Sequence, residues 1–476
     1  MKIAMVASEA NPFVKTGGLG DVVYSLSKEL TILGEEVIIV LPFYEYIKRK
    51  QIDAHYVTAY FVDMSWRHVE VKVYRTYVDG IVYYLIDNPR YFSREHVYGD
   101  FDDGERFAFF TVAVKELFYQ INFKPDIIHV HDWQAGMLPV LIKESHEQFF
   151  ANTRHVLTIH NPAFQGLLPK DCLGEFYNLD MELYYSGKVR FKEQISTLKS
   201  AIVYADKITT VSPNHRFELS TREGGMDLDS VLNMRSDDFV GILNGIDTME
   251  WNPKSDEYIP TSFTLRTNES AKEKNKKALC EELHIQYQEG KALYSIVSRL
   301  TWQKGMDLAF LALENIASNG HNIVILGSGE WDYENKAEDL RRRYPDTVAI
   351  YIGYNNELSH KIYASSDFFL MPSLFEPCGI GQMLAQRYGA LPIVRLTGGL
   401  KDTVEPFNGN NLKTATGFGF YNYNYEELMS VIRQTYDVFN NKELRKVLMN
   451  NAMKRDNSWK LSATKYIELY QDIISK

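Results

Sequence analysis

Short apolar runs alternate with glycine-containing loops and helix-like segments along this chain. This alternation constrains the fold more than any other feature. Residues 2–7 and 36–41 are two such runs, separated by a glycine-rich loop and a helical pattern that ends at Gly34. Short apolar runs bounded in this way are typical of buried parallel strands, and Gly commonly follows the last residue of a helix. The chain therefore opens with a βαβ unit of an α/β fold.

The same alternation of apolar runs, loops and helical segments begins again in the second half of the chain. The apolar run at residues 292–297 is followed by a polar loop, a helical pattern and a further strand at residues 321–326. Because 476 residues exceed what one hydrophobic core usually spans, two domains are expected. We predict two doubly wound Rossmann-like domains whose strand ends face each other across a cleft.

The domain limits follow from composition and turn signals. A turn at residues 244–247 predicts the crossover, and the polar segment 254–277 is expected to be a surface connection. The predicted units are an N-terminal domain at 1–245, a C-terminal domain at 246–458, and a terminal helix at 459–476 that could pack back on the first domain.

An antiparallel excursion is predicted inside the first domain at residues 56–91. Two alternating segments flank Asp79-Gly80, a dipeptide that favours the tight turn of a β-hairpin. This departs from the parallel pattern around it.

Composition excludes several classes of function. The net charge of −10 speaks against non-specific nucleic-acid binding. The three cysteines lie far apart without a Cys-x-x-Cys pair, which argues against a disulfide framework or a zinc site and fits a reducing cytosol. No apolar run approaches the roughly 18 residues of a membrane span. We expect a cytoplasmic protein with no nucleic-acid or membrane partner, and the sequence leaves the oligomeric state open.

Residues 372–381 form the loop that first suggests a ligand site. The loop follows an apolar strand and precedes a helical pattern, and it contains Glu376. Open α/β sheets bind ligands at the carboxyl ends of their strands, and backbone N–H groups at a helix start favour anions. The alternative interpretation, a solvated loop carboxylate, is equally compatible with this stretch by itself.

Polar side chains follow two other predicted strands. Asp132 and Trp133 follow the run at 127–131, and His160 and Asn161 follow the run at 154–159. Histidines at strand ends are more often structural than catalytic. Two such clusters in one sheet nevertheless favour a site, because ligands collect at that edge.

The first loop of the chain also has features of a binding loop. It reads Lys15-Thr16-Gly17-Gly18-Leu19-Gly20, which does not match the dinucleotide fingerprint. Its glycines permit close backbone approach by a ligand, and Lys15 adds a positive charge. A tight turn with a solvated lysine is the alternative.

Two cations stand five residues apart in the second half, at Arg299 and Lys304. This spacing across a strand-end loop suits a diphosphate, since Arg grips phosphate with parallel bonds and Lys supplies a point charge. Glu376 cannot bind phosphate and is expected to contact hydroxyls, so the set indicates a nucleotide-sugar site. A departing nucleoside diphosphate, with a pKa near roughly 6, needs charge stabilisation more than a general acid. The chain has no Asp-x-Asp motif for a metal, and neither a metal nor another cofactor is expected.

Together these motifs resemble the bacterial glycogen synthases and plant starch synthases. They run in that family's order over nearly the whole chain. The motifs are Lys15-Thr16-Gly17-Gly18-Leu19-Gly20-Asp21, His131-Asp132-Trp133, Thr158-Ile159-His160-Asn161, Leu243-Asn244-Gly245-Ile246-Asp247, Gln303-Lys304-Gly305, Phe375-Glu376-Pro377-Cys378-Gly379 and Thr397-Gly398-Gly399-Leu400.

The resemblance implies a GT-B fold and retaining transfer of glucose from ADP-glucose to the non-reducing end of an α-1,4-glucan such as glycogen. It implies that Arg299 and Lys304 neutralise the leaving diphosphate, that Glu376 binds the glucose hydroxyls, and that His160 and Asp132 lie over the donor sugar. These five residues are the expected catalytic set.

The remaining implied contacts belong to the donor and the acceptor. Lys15 would hold the donor phosphates, Tyr354 would lie near the adenine, and Cys378 would line the sugar pocket. The full donor set is Lys15, Gly17, Gly18, Asn244, Tyr354, Cys378, Gly379, Ile380 and Gly381, and the acceptor set is Trp133 and Asn161. Some relatives have Thr where this chain has Gly381, so a hydroxyl contact to phosphate would be absent.

The chemical route and several rivals stay open at this level. No nucleophile stands out on the far face of the sugar, so same-face attack is the favoured route to retention. Rival interpretations are a UDP-glucose or different-acceptor transferase, a non-catalytic glucan-binding relative, a pyridoxal-dependent glucan phosphorylase and a nicotinamide dehydrogenase. No residue by itself separates adenine from uracil.

Overall fold

The computed structural model describes all residues, 1–476, and divides them into two compact units. Unit 1 comprises Met1–Leu243 and Trp459–Lys476, and unit 2 comprises Asn244–Ser458. Each unit is a sheet with helices around it, which confirms the predicted α/β class with two Rossmann-like halves.

Unit 1 contains the first twelve strands and the first ten α-helices of the chain. The strands are β1 (Lys2–Val6), β2 (Glu36–Pro42), β3 (His55–Met64), β4 (Arg67–Val78), β5 (Ile81–Asp87), β6 (Ile127–His131), β7 (Arg154–Ile159), β8 (Leu167–Leu168), β9 (Arg190–Phe191), β10 (Gln194–Ser196), β11 (Lys207–Thr210) and β12 (Phe239–Gly241). The helices are α1 (Gly18–Ile32), α2 (Glu45–Arg49), α3 (Pro89–Phe92), α4 (Asp103–Gln120), α5 (Leu138–Ser145), α6 (Cys172–Tyr177), α7 (Glu182–Tyr185), α8 (Thr197–Tyr204), α9 (Pro213–Leu219) and α10 (Asp229–Met234).

The main sheet of unit 1 has the order β12-β11-β7-β6-β1-β2-β5-β4-β3. Its strands are parallel from β12 to β5, while β5, β4 and β3 pair antiparallel, with Asp79-Gly80 at the turn between β4 and β5. A small separate sheet has the order β8-β10-β9. Because β1, β6 and β7 are adjacent and parallel, the residues that follow them meet at one edge of the sheet.

Unit 2 is built on a fully parallel six-stranded sheet. Its strands are β13 (Leu293–Val297), β14 (Asn322–Gly327), β15 (Val348–Ile352), β16 (Phe368–Met371), β17 (Leu391–Arg395) and β18 (Phe418–Phe420), in the order β15-β14-β13-β16-β17-β18. Its helices are α11 (Asn268–Glu282), α12 (Met306–Ser318), α13 (Trp331–Arg343), α14 (Asn356–Ser365), α15 (Gly381–Arg387), α16 (Gly398–Thr403), α17 (Tyr425–Asn440) and α18 (Lys442–Lys454). The adjacent strands β13 and β16 bring the loops that follow them to one edge.

The terminal helix α19 (Trp459–Ile474) packs within unit 1. The Ser462 hydroxyl donates to the Leu243 carbonyl, and the Tyr470 hydroxyl lies 2.7 Å from Nδ1 of the buried His129. Buried residues of α19 join the core of this unit, so the helix closes the fold that begins at β1. No helix of the chain combines the length and the apolar character needed to cross a bilayer.

The predicted surface connection at 254–277 is wrong over its second half. The helix α11 begins at Asn268, and it buries the side chains of Lys272 and Lys276. The Lys272 ammonium donates to the carbonyls of Tyr363, Ala364 and Tyr388 at 2.8–3.3 Å, and burial lowers its pKa to about 7. Carbonyl groups from distant segments replace water around this lysine. The polar composition of residues 254–277 does not by itself reveal these distant partners.

Candidate active site

Glu376 lies in the loop between β16 and α15, at the carboxyl end of the strand. Its side chain is buried, and its Oε2 accepts from the Lys304 ammonium at 2.5 Å and from the Ser373 hydroxyl at 3.2 Å. A buried carboxylate is stable only when it is paired or hydrogen-bonded. This contact brings two of the predicted site residues, Lys304 and Glu376, together at one strand end.

A turn that contains Gly398 and Gly399 packs against the backbone of the Glu376 loop. Gly398 has φ +44°, and a Cβ on it would lie 1.9 Å from the Glu376 carbonyl oxygen. The neighbouring Gly399 donates its N–H to the same carbonyl at 3.1 Å. Only glycine therefore fits beneath this loop.

Replacing Gly398 with alanine tests this packing. Overpacking costs about 1–3 kcal/mol, and the left-handed conformation adds about 1–2 kcal/mol for a residue with a Cβ. Gly409→Ala is the matched control, because Gly409 has φ +88° but nothing within 4 Å of its Cβ position. Urea unfolding should show a larger loss of stability for Gly398→Ala than for Gly409→Ala. Equal losses would mean that strain by itself, and not the close approach, requires glycine here.

Lys304 is held by backbone contacts to the loop that contains Glu376. It ends a 3-10 turn, Trp302–Lys304, and the next residue, Gly305, has φ +71°. A Cβ on Gly305 would lie 2.1 Å from the Pro372 carbonyl oxygen, and the Leu374 N–H donates to the Gln303 carbonyl at 2.9 Å. The lysine is thus fixed against the strand-end loop before any ligand arrives.

Arg299 precedes the same turn but remains exposed. Its guanidinium is 3.5 Å from the Gln303 side-chain oxygen and makes no ion pair with a carboxylate. In unit 2 the two predicted cations therefore flank one turn: Lys304 is paired with Glu376, and Arg299 is open to solvent.

The loop after Glu376 combines a buried thiol with free backbone donors. Burial raises the pKa of Cys378 to about 12, and its sulfur accepts from the backbone N–H of Asn244. The thiol is therefore neutral near pH 7 and is no nucleophile. The N–H groups of Gly379 and Ile380 have no acceptor in the chain, while Gly381 is the first residue of α15. Tyr354 lies apart from this loop, after β15, and is highly exposed.

In unit 1, Asp132 has a strained backbone at the end of β6. It has φ +54° and ψ −169°, a region that residues other than glycine rarely occupy. Its buried Oδ1 accepts from the N–H groups of His160 at 2.7 Å and Asn161 at 3.4 Å. Burial raises the pKa of Asp132 to about 7, against these two hydrogen bonds. Strain and a shifted pKa at a strand end are typical of a functional site.

His160 is held by a second histidine, His131, which the sequence marks only as the first residue of the motif His131-Asp132-Trp133. His160 Nε2 lies 3.0 Å from Nδ1 of the buried His131. Burial lowers the pKa of His160 to about 3, so its ring is neutral near pH 7. The residues Ile127–His131 form β6, where alternate positions share one face. His129 and His131 are therefore stacked, with ring centroids 4.4 Å apart.

The two predicted acceptor residues lie beside this cluster. Trp133 accepts from the Thr197 hydroxyl at 2.8 Å through its carbonyl, and its ring meets Phe107 edge-on. The Asn161 side-chain oxygen accepts from the Ala163 N–H at 3.0 Å, and its side chain is exposed. Trp133 is thus largely fixed, whereas Asn161 retains a free amide NH₂ group.

The glycine-rich loop leads directly into α1. The helix begins at Gly18, so the glycines of the loop form part of its first turn. Lys15 forms an ion pair with Asp21 at 2.6 Å. Glu9 also contacts this loop through the Thr16 N–H, although nothing in the local sequence pattern marks a carboxylate seven residues upstream as its partner.

Two family profiles match the chain. The starch synthase catalytic domain matches residues 2–234, and the glycosyl transferases group 1 profile matches residues 281–455. The glycogen synthase of Anoxybacillus flavithermus is 43% identical over 100% of this chain and 98% of its own length. That of Clostridium perfringens is 45% identical over 100% of this chain and 98% of its own length.

Solved structures agree with these sequence relatives. The catalytic domain of starch synthase IV from Arabidopsis thaliana, bound to ADP and acarbose, superimposes with a TM-score of 0.91 at 34% identity. The superposition covers 100% of this chain and 99% of that one. A sucrose-phosphate synthase from Thermosynechococcus elongatus, at 15% identity and a TM-score of 0.61 over 100% and 99% of the two chains, shares the fold alone.

Proposed function

This chain belongs to the glycogen and starch synthase family of glycosyltransferases, and from that premise we propose that it transfers glucose from ADP-glucose to the non-reducing end of an α-1,4-glucan, with retention. The fold is GT-B. The nature of the donor and acceptor is supported by the ADP and acarbose bound to the related starch synthase IV.

The contact between Lys304 and Glu376 carries the proposal. The Lys304 ammonium and the Glu376 carboxylate lie 2.5 Å apart at the carboxyl end of a parallel sheet. A glucosyl diphosphate has sugar hydroxyls next to a charged phosphate. It therefore requires a hydrogen-bond acceptor and a cation at adjacent positions. When the donor binds, the Lys304 ammonium would turn toward the phosphate, while the Glu376 carboxylate would accept hydrogen bonds from the sugar hydroxyls.

The other residues of unit 2 complement this pair. Arg299, exposed and without a carboxylate partner, would grip the leaving diphosphate with two parallel bonds. The N–H groups of Gly379 and Ile380 would donate to phosphate oxygens. The neutral Cys378 would form a wall of the sugar pocket, and Asn244 and Tyr354 would complete the donor contacts.

In unit 1 we assign the Lys15 loop to the donor phosphates and Asp132 with His160 to the donor sugar. The neutral His160 ring can exchange hydrogen bonds with hydroxyls without adding charge. The Asp132 carboxylate fixes the backbone of His160 and Asn161. Trp133 and Asn161 would meet the acceptor glucan.

The reaction would proceed on one face of the sugar. The bond between glucose C1 and the diphosphate oxygen breaks, and its electron pair leaves with the diphosphate. The acceptor 4-hydroxyl oxygen bonds to C1 from the same side, and its proton passes to the departing phosphate oxygen. Fixed cations and N–H groups stabilise the charge that develops there. A trapped glycosyl–enzyme adduct would contradict this route.

Glucose incorporation into glycogen, measured with ADP-glucose and UDP-glucose side by side, tests the proposal. We expect a strong preference for ADP-glucose. A preference for UDP-glucose would keep the chemistry and overturn the donor base. No incorporation from either donor would favour a different acceptor or a glucan-binding protein.

A further inference from the structure

Glu9 is a buried carboxylate without a cationic partner. It follows β1 by three positions, and 4% of its surface is exposed. Burying a charge is costly unless hydrogen bonds satisfy it. Glu9 must therefore be stabilised by hydrogen-bond donors.

The glycine-rich loop supplies most of those groups. Glu9 Oε2 accepts from the N–H groups of Thr16 at 2.5 Å and Gly17 at 3.3 Å. Its Oε1 accepts from the hydroxyls of Thr16 and Tyr98, both at 2.7 Å. Each carboxylate oxygen thus has two donors, and three of the four come from the loop.

The opposite side of the loop is open. Nothing lies within 4 Å of the Cβ positions of Gly17 and Gly18, and both residues are exposed. Lys15, on the same loop, is half exposed beside Asp21. One side of the loop is therefore tied to a buried anion, while the other side faces solvent.

We propose that Glu9 is the positioning residue of this loop. By binding Thr16 and Gly17 on the buried side, it holds the loop so that Lys15 and the N–H groups that begin at Gly18 face the donor phosphates. This inference rests on the proposed function, which assigns the loop to those phosphates. It also refines that assignment: the Thr16 and Gly17 N–H groups serve Glu9 and not the donor. The negative charge of Glu9 adds to the effect of burial in raising the pKa of Asp132.

Glu9→Gln tests the role with an isosteric side chain. The amide NH₂ group can face the Thr16 and Tyr98 hydroxyls, which can accept from it, so the loop N–H groups keep an acceptor. That acceptor is now neutral, and hydrogen bonds to a neutral group are weaker than those to a carboxylate. Glu105→Gln is the matched control, because Glu105 is also a largely buried carboxylate of unit 1 but bonds Arg67, Arg90 and Tyr91, away from the loop.

Hydrogen exchange of the ligand-free protein gives the first readout. The amides of Thr16 and Gly17 should exchange at least tenfold faster in Glu9→Gln and at the wild-type rate in Glu105→Gln. This readout needs no ligand and no activity, so it remains decisive if the proposed reaction fails.

Calorimetric titration with ADP and steady-state kinetics give the second readout. We expect the Kd of ADP and the KM of ADP-glucose to rise tenfold or more in Glu9→Gln, with the KM of glycogen unchanged. Thr16→Val should show a smaller rise, and Thr16→Ser, which keeps the hydroxyl, should restore wild-type values. A merely structural role would lower the melting temperature without this selectivity.

The outcomes separate the two proposals. Wild-type exchange and wild-type ADP affinity in Glu9→Gln would overturn the role of Glu9, even if the enzyme transfers glucose. Faster exchange with weaker ADP binding, in a chain that transfers no glucose, would uphold Glu9 and overturn the proposed reaction. Faster exchange with unchanged ADP affinity would overturn the link between the loop and the phosphates.

Discussion

Lys304→Ala should lower kcat for glucose transfer by roughly 10²–10³-fold, the usual scale for losing one contact to transition-state charge. The ammonium lies 2.5 Å from Glu376 in the ligand-free protein and would shift its interaction to the leaving phosphate as negative charge develops. Because that charge is largest in the transition state, kcat should fall more than KM for ADP-glucose rises.

Two variants make this prediction specific. Lys304→Arg keeps the charge and should recover part of the rate, although its planar group places the charge differently. Lys361→Ala is the control, because Lys361 forms ion pairs with Glu282 and Glu357 on the surface of the same unit. A kcat near the wild-type value in Lys304→Ala would remove this lysine from the mechanism.

Glu376→Ala should lower kcat/KM by roughly 10²–10⁴-fold. Hydrogen bonds to a charged group contribute about 1.5–3 kcal/mol each, two sugar hydroxyls are expected to bind here, and each 1.4 kcal/mol is about tenfold in rate. Initial rates at varied ADP-glucose measure the effect. Glu376→Gln keeps the shape and one acceptor, so its loss should be smaller.

Glu357→Ala serves as the control for Glu376, since Glu357 pairs with Lys361 on an exposed helix face. A donor that lacks the hydroxyls bound by Glu376 should be insensitive to Glu376→Ala. If every deoxy-sugar donor loses rate in the variant as glucose does, the carboxylate does not bind sugar hydroxyls.

The two effects should not multiply. Lys304 and Glu376 are in direct contact, and residues in contact usually show interaction energies of about 0.5–3 kcal/mol in double-mutant cycles. Each single variant also leaves a charge without its partner at a largely buried position, a penalty that the double variant does not have. We therefore expect the double variant to lose less activity than the product of the two single losses.

The sequence by itself determined the fold class and the family. Strands such as β6 and β16 are short apolar runs whose period and turn signals are local, so their positions follow from neighbouring residues. The motifs around Asp132, His160, Lys304 and Glu376 are also contiguous, which is why they were recognisable without a structure.

Only the tertiary structure decided which groups satisfy the buried polar side chains. Glu9 meets Thr16 across a loop, His131 meets His160 across two strands, and Lys272 meets carbonyls about 90 or more residues away. None of these partners is marked by local spacing, because a buried polar group is satisfied by whichever donors or acceptors the fold brings within about 3 Å. The sequence thus determined where polar residues follow the strands, and the packing of distant segments decided which of them are paired.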